Sequence, residues 1–214
     1  STQLAALTTD QINGLSTDAM RALSTAQVGA LGTAQIQALS NDQLAALNGS
    51  QVTALKTNQI QALSTDQIIS LSTSAIRALS TAQVKALQTD RIAVLTDDQI
   101  GALTSAQVRA LSTGQLNALE TGQIRALSNA AVAGLSAGTT GQLALMDNDL
   151  LQALSTSQVA YLSSAQVRSL TSTQIGLLSG EQVAALSTLA ISSLTATQID
   201  GLSTSQIQAL SDGQ

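Results

Sequence analysis

The side chains that could carry chemistry in this sequence are many serine and threonine hydroxyls and one short acidic cluster, Asp147-Asn148-Asp149. A hydroxyl becomes a nucleophile only beside a base, and the sequence has no His and no paired Lys or acidic motif to supply one. The absence of Cys and His also removes thiol chemistry and the usual zinc and transition-metal ligands. The sequence therefore predicts no catalytic residue, no cofactor and no metal site, and the protein is not expected to be an enzyme.

The acidic cluster resembles part of a calcium-binding loop, but it lacks the glycine and the distant glutamate of such a loop. A helix start explains Asp147-Asn148-Asp149 more simply, with a cap residue followed by an acidic residue in the first turn. Asp97-Asp98 has the same pattern. The one tyrosine, Tyr161, is either an exposed contact residue or a tolerated substitution at the edge of the structure.

Charge and hydropathy exclude two classes of partner. The net charge of −5 and the scattered positions of the eight basic residues argue against a phosphate-binding surface, so no nucleic acid is expected. No stretch approaches the ~18 consecutive apolar residues of a membrane span. The sequence starts inside a repeat at Ser1 without a signal-peptide pattern, which is expected of a piece of a longer array.

The elements that position these residues are eight-residue repeats. Leucine recurs every eighth residue from Leu7 to Leu135 and from Leu154 to Leu210, which gives about 26 octads in 214 residues. In the octad Ser24–Leu31, Ser24 occupies the cap slot, Gln27 the Gln slot and Val28 the core slot. The variable slot, the Ala slot and the Leu slot come after these in that order.

Each octad carries the signals of one short helix. A Ser or Thr followed three residues later by Gln, just before apolar positions, is a capping box. Acidic residues precede the Gln slot and basic residues share the variable slot, as the helix dipole favours. One continuous helix is excluded, because an eight-residue repeat drifts by ~80° around a helix and the leucines could not share a face. The chain must therefore turn at each octad.

The sequence predicts an all-α solenoid of short helices of six or seven residues, one per octad, stabilised by stacking. A β-solenoid is the alternative, but the three-residue spacing of core slot and Leu slot and the many Ala and Gln residues disfavour strands. Small residues in the Ala slot indicate close helix approach there. The larger ones are expected to need a local gap, and they are Val94, Leu145, Tyr161 and Leu177.

Residues 1–214 are predicted to form a single array with one irregularity, three extra residues near 136–138, and no domain boundary there. Gln is replaced by Ala at Ala19, Ala75 and Ala131, at intervals of 56 residues, and at Ala190, three residues further than that interval. This second-order unit of seven octads reflects either duplication or a whole number of superhelical turns.

The octads resemble two known kinds of repeat. Leu7-Thr8-Thr9-Asp10-Gln11-Ile12 is similar to the opening of transcription-activator-like effector repeats, but the base-reading pair is absent and DNA reading is not implied. Ala22–Leu31 and Ala102–Leu111 resemble the low-complexity arrays of large secreted or surface bacterial proteins described as adhesin-like or haem-utilisation-like. That resemblance implies an extracellular or cell-surface location. No haem ligand is implied, because Met20 and Met146 occupy core positions.

These features favour a structural or interaction module, an extracellular solenoid rod that spaces, displays or assembles other parts. Both ends are cut within the pattern and lack polar capping repeats, so copies are expected to stack end to end into a fibre, or to join other parts of a larger surface protein. The alternative is a protein- or glycan-binding scaffold whose variable slots, such as Arg21, Arg77 and Arg109, line a groove.

Overall fold

The computed structural model describes Leu4 and residues 6–214, and within them it contains 24 α-helices and no β-strand. The predicted all-α solenoid of short helices is confirmed. Most octads hold one helix of five or six residues, and one helix has four. The chain divides into two compact units, Ser1–Leu103 and Thr104–Gln214.

Unit 1 contains twelve of the described helices. They are α1 (Thr9–Asn13), α2 (Thr17–Ala22), α3 (Thr25–Gly29), α4 (Thr33–Ala38), α5 (Asn41–Ala45), α6 (Gly49–Thr53), α7 (Thr57–Ala62), α8 (Thr65–Ser70), α9 (Thr73–Ala78), α10 (Thr81–Ala86), α11 (Thr89–Ala93) and α12 (Asp97–Gly101).

Unit 2 contains the other twelve described helices. They are α13 (Ser105–Ala110), α14 (Thr113–Asn117), α15 (Thr121–Ala126), α16 (Asn129–Val132), α17 (Asn148–Gln152), α18 (Thr156–Ala160), α19 (Ser164–Ser169), α20 (Ser172–Leu177), α21 (Gly180–Ala185), α22 (Thr188–Ser192), α23 (Ala196–Asp200) and α24 (Thr204–Gln208).

Local hydrogen bonds begin and end each helix as the octad pattern predicts. The Ser24 hydroxyl accepts from the Gln27 backbone amide at 3.2 Å, and the Gln27 side-chain oxygen accepts from the Ser24 amide at 2.9 Å. At the other end, Leu39 takes an extended backbone (φ −63°, ψ 134°) while its amide bonds to the Ile36 carbonyl. Because the Leu slot leaves the helical conformation, the helices are shorter than the six or seven residues expected.

The helices stack with a fixed interval along the chain. In unit 1, α4 packs against α1 and α7, and in unit 2, α20 packs against α17 and α23, so each helix meets the third one before and after it. Core and Leu slots face the interior of each stack, as at Ile36 and Leu39, which are 0% and 3% exposed. The predicted burial of the repeated leucines is confirmed for the interior octads.

The irregular segment of residues 136–147 contains no helix but takes the place of one octad. Across it, α15 packs against α17 and α16 against α18, so the interval falls from three helices to two. The Ser136 hydroxyl accepts from the Gln142 amide at 2.9 Å, which preserves the cap across six residues instead of three. Gly138, with φ of 98°, allows residues 137–140 to turn outward into solvent.

Small residues in the Ala slot allow close contact with the helix three places earlier. A Cβ atom built on Gly134 would lie 2.5 Å from the Ser105 backbone oxygen. The expectation that large residues in this slot need a local gap is wrong for Leu145 and Tyr161, which are 48% and 57% exposed. Their side chains are accommodated in solvent because the Ala slot lies at the edge of the stack.

Candidate functional site

The Gln slot carries a second set of hydrogen bonds that reach a distant octad. The Gln83 amide nitrogen donates to the backbone carbonyls of Val52 and Leu55 at 2.9 and 2.8 Å, while its oxygen accepts from the Ser80 amide at 2.8 Å. Gln83 is only 2% exposed, so these bonds lie away from solvent. One buried amide therefore caps its own helix and binds the helix four places earlier.

The same contact recurs through both units, and we call it the glutamine ladder. All buried side-chain nitrogen and oxygen atoms in the described residues have a hydrogen-bond partner. The ladder members within unit 1 are Gln35, Gln43, Gln51, Gln59, Gln67, Gln83 and Gln99. Those within unit 2 are Gln142, Gln158, Gln166, Gln174, Gln182, Gln198, Gln206 and Gln214.

The ladder defines how many octads complete one turn. Each helix packs against the third helix along the chain and sends its ladder bonds to the fourth octad before it, so a turn takes between three and four octads. The ladder bond to the Leu slot spans 28 residues, or three and a half octads, and 31 residues across the insertion. The three inserted residues are thus taken up without loss of the ladder.

Sequence reasoning predicted the cap bond of the glutamine oxygen but missed the donor role of the nitrogen. A signal was present, because Glu would serve a capping box equally well and never occupies the Gln slot. Only an amide combines an acceptor for the cap with a donor for carbonyls. Arg91 stands in this slot as a substitute donor and bonds the Leu63 carbonyl at 3.2 Å.

The acidic residues singled out in the sequence do not converge. Asp147 makes no cap bond to its helix; its carboxylate accepts instead from the side-chain amide of Asn117 at 3.0 Å. The cap interpretation of Asp147 is therefore wrong, since the neighbouring turn offers a closer donor. Asp97 and Asp98 lie in the exposed first turn of α12. Among the described residues, no three His, Cys, Asp or Glu side chains are grouped as metal ligands would be.

The basic residues of the variable slot are also dispersed. In unit 2, Arg109, Arg125 and Arg168 each line a different shallow groove. The Arg109 guanidinium donates to the Gly134 carbonyl at 3.2 Å, and so it bridges α13 to the helix three places later. In unit 1, Arg21 forms an exposed ion pair with Asp18. Met20 and Met146 are buried in the stacks, as expected.

Fold and contacts together define an α-solenoid of octapeptide repeats, an architecture typical of structural scaffolds. The ALTTAQ repeat family model matches residues 5–41, 17–49, 41–73, 70–97, 85–113, 98–129, 153–188 and 180–212, and the chain belongs to this family. No curated protein matches the sequence. Within the part of the chain that the structure describes, every helix is too short or too polar to cross a membrane.

Proposed function

We propose that the protein is an extracellular or cell-surface structural scaffold, a solenoid rod that spaces and displays other parts and assembles with further copies into a fibre. The observation that carries this proposal is the glutamine ladder. Each added octad brings its own cap and its own bonds to the octad four places earlier, so length can grow without a new kind of contact.

The dispersed polar surface supports a spacing role over ligand recognition. Arg109, Arg125 and Arg168 would have to face one groove to bind a protein or glycan together, and they lie in three. Arg109 is in addition bonded to a backbone carbonyl. The extracellular location is supported by the resemblance to secreted repeat arrays, and antibody labelling of intact against permeabilised producing cells tests it.

A register-preserving duplication tests the spacer function. Ser16–Leu71 comprises seven octads within unit 1 and can be duplicated directly after Leu71. Since seven octads are two turns, and packed helices are ~8–10 Å apart, the duplication should add about 16–20 Å along the coil. Spin labels on Cys introduced at the exposed residues Asn13 and Lys85 measure this distance, and the protein has no native Cys to interfere.

The matched control is an insertion of the same 56 residues in scrambled order, which should broaden the distance distribution and lower the helical signal per residue. The ordered duplication should keep a narrow distribution and an unchanged helical signal per residue. A broad distribution or an unchanged distance for the ordered duplication would contradict the spacer proposal.

A further inference from the structure

The first octads of the sequence present ladder donors that have no acceptor. The side-chain oxygens of Gln11 and Gln27 cap their own helices, at 2.9 Å from the amides of Thr8 and Ser24. Their amide nitrogens donate no hydrogen bond within the described residues, and both side chains are accessible. We call this surface, formed by Gln11 and Gln27 with the half-buried Leu15 and Leu23, the leading face.

The last octads present the opposite set of groups. Ile199 and Ile207 occupy core slots but are 50% and 47% exposed, whereas the same slot is 0% exposed at Ile36. Among the described residues, no side-chain amide donates to the carbonyls of Leu202 and Leu210. We call this surface, formed by Ile199, Ile207, Leu202 and Leu210, the trailing face.

The two faces are complementary in the way that consecutive turns of the coil are complementary. Inside each unit, a Gln-slot nitrogen meets a Leu-slot carbonyl and the core aliphatics between them are covered. The leading face offers the nitrogens and the trailing face offers the carbonyls and the uncovered isoleucines. Any further octads of the same polypeptide would use these contacts too.

We propose that the trailing face of one copy binds the leading face of a second copy head to tail, with glutamine nitrogens donating to Leu-slot carbonyls as in the ladder. The inference rests on the proposed scaffold function and specifies its partner. Such an interface is heterologous, because each copy uses a different face, and it does not close into a dimer. Chains of copies should therefore lengthen as concentration rises.

Two face-blocking variants test the docking. Gln11→Glu with Gln27→Glu removes the donors and places negative charge against carbonyls, and Ile199→Asp with Ile207→Asp charges the trailing face. Sedimentation velocity of the unmodified chain should show a mass that rises steadily with concentration. Each blocked variant should stay monomeric, with an association constant lower by about tenfold or more.

Mixing the two blocked variants gives the decisive arm. Each retains one intact face of opposite kind, so the mixture should form a heterodimer that grows no further. Tyr161→Ser serves as control, since Tyr161 is 57% exposed but lies outside both faces, and it should associate like the unmodified chain. Circular dichroism of all variants verifies that they fold.

Three results would overturn the docking: a monomer at every concentration, a dimer plateau in the unmodified chain, or a mixture of blocked variants that does not pair. The duplication experiment is measured within one chain and does not depend on association. A monomeric chain that still lengthens by two turns would therefore remove the docking and leave the spacer function intact.

Discussion

Replacing Gln83 by Glu isolates the donor function of the ladder. Glu keeps the side-chain length and the oxygen that accepts from the Ser80 amide, but it loses the nitrogen that donates to Val52 and Leu55. A charged carboxylate would then face two carbonyl oxygens at a position that is 2% exposed. Gln83→Glu is therefore a change of donor to charged acceptor with almost no change of shape.

The expected cost can be worked out from those contacts. Leaving a buried carbonyl without its donor costs about 1–3 kcal/mol, and an uncompensated buried charge brings the total to about 3–5 kcal/mol. Unfolding in urea, followed by far-ultraviolet circular dichroism, should show a clearly lower midpoint for Gln83→Glu. Because burial raises the pKa of the introduced carboxyl, the loss should be complete at neutral pH and shrink as the pH falls toward the ordinary Glu pKa of about 4.3.

Gln27→Glu is the matched control. Gln27 has the same capping box, with its oxygen 2.9 Å from the Ser24 amide, but its nitrogen makes no ladder bond in the described structure. Its replacement by Glu should change stability by less than about 0.5 kcal/mol. Equal losses from the two substitutions, or no loss at Gln83, would refute the ladder as a source of stability.

Three further outcomes are expected from the same contacts. Ala75→Gln should raise the urea midpoint by about 0.5–1.5 kcal/mol of stability, because the octad four places earlier gains a donor, whereas Ala19→Gln should not. Gly134→Ala should lower the thermal unfolding temperature through a clash worth about 1–3 kcal/mol, while Gly122→Ala, which meets nothing within 4 Å, should raise stability by about 0.4–1 kcal/mol. Deleting residues 137–139 restores the normal spacing of the cap and should preserve the far-ultraviolet helical signal; loss of that signal would show that the bulge is required for folding.

The octad pattern predicted local structure well because its determinants are local. The cap pair Ser24 and Gln27, the first-turn acids and the buried Leu39 are all determined by spacing within one repeat. The number of octads per turn is not. It depends on the angle between successive helices, which is set by the extended backbone at the Leu slot, and spacing within one octad carries no information about that angle.

The exposed positions show the same limit. Tyr161 and Ala30 share the Ala slot, so the repeat pattern treats them as equivalent, yet Tyr161 is directed into solvent. Similarly, Asp147 fits the cap slot by sequence but bonds Asn117, which is 30 residues away. Both outcomes depend on neighbours supplied by other turns of the coil.

The 28-residue ladder spacing gives the 56-residue unit a structural meaning. At three and a half octads per turn, seven is the smallest whole number of octads that completes whole turns, so residues 56 apart return to the same side of the coil. In unit 1, Ala19 and Ala75 are 56 residues apart, and in unit 2, Ala131 and Ala190 are 59 apart with the three-residue bulge between them. A duplicated block of three or four octads would rotate every later octad by about half an octad's position, whereas a block of seven leaves the later octads facing as before. Duplication history and superhelical geometry are therefore a single explanation, since a block of seven octads can be copied without rotating the rest of the coil.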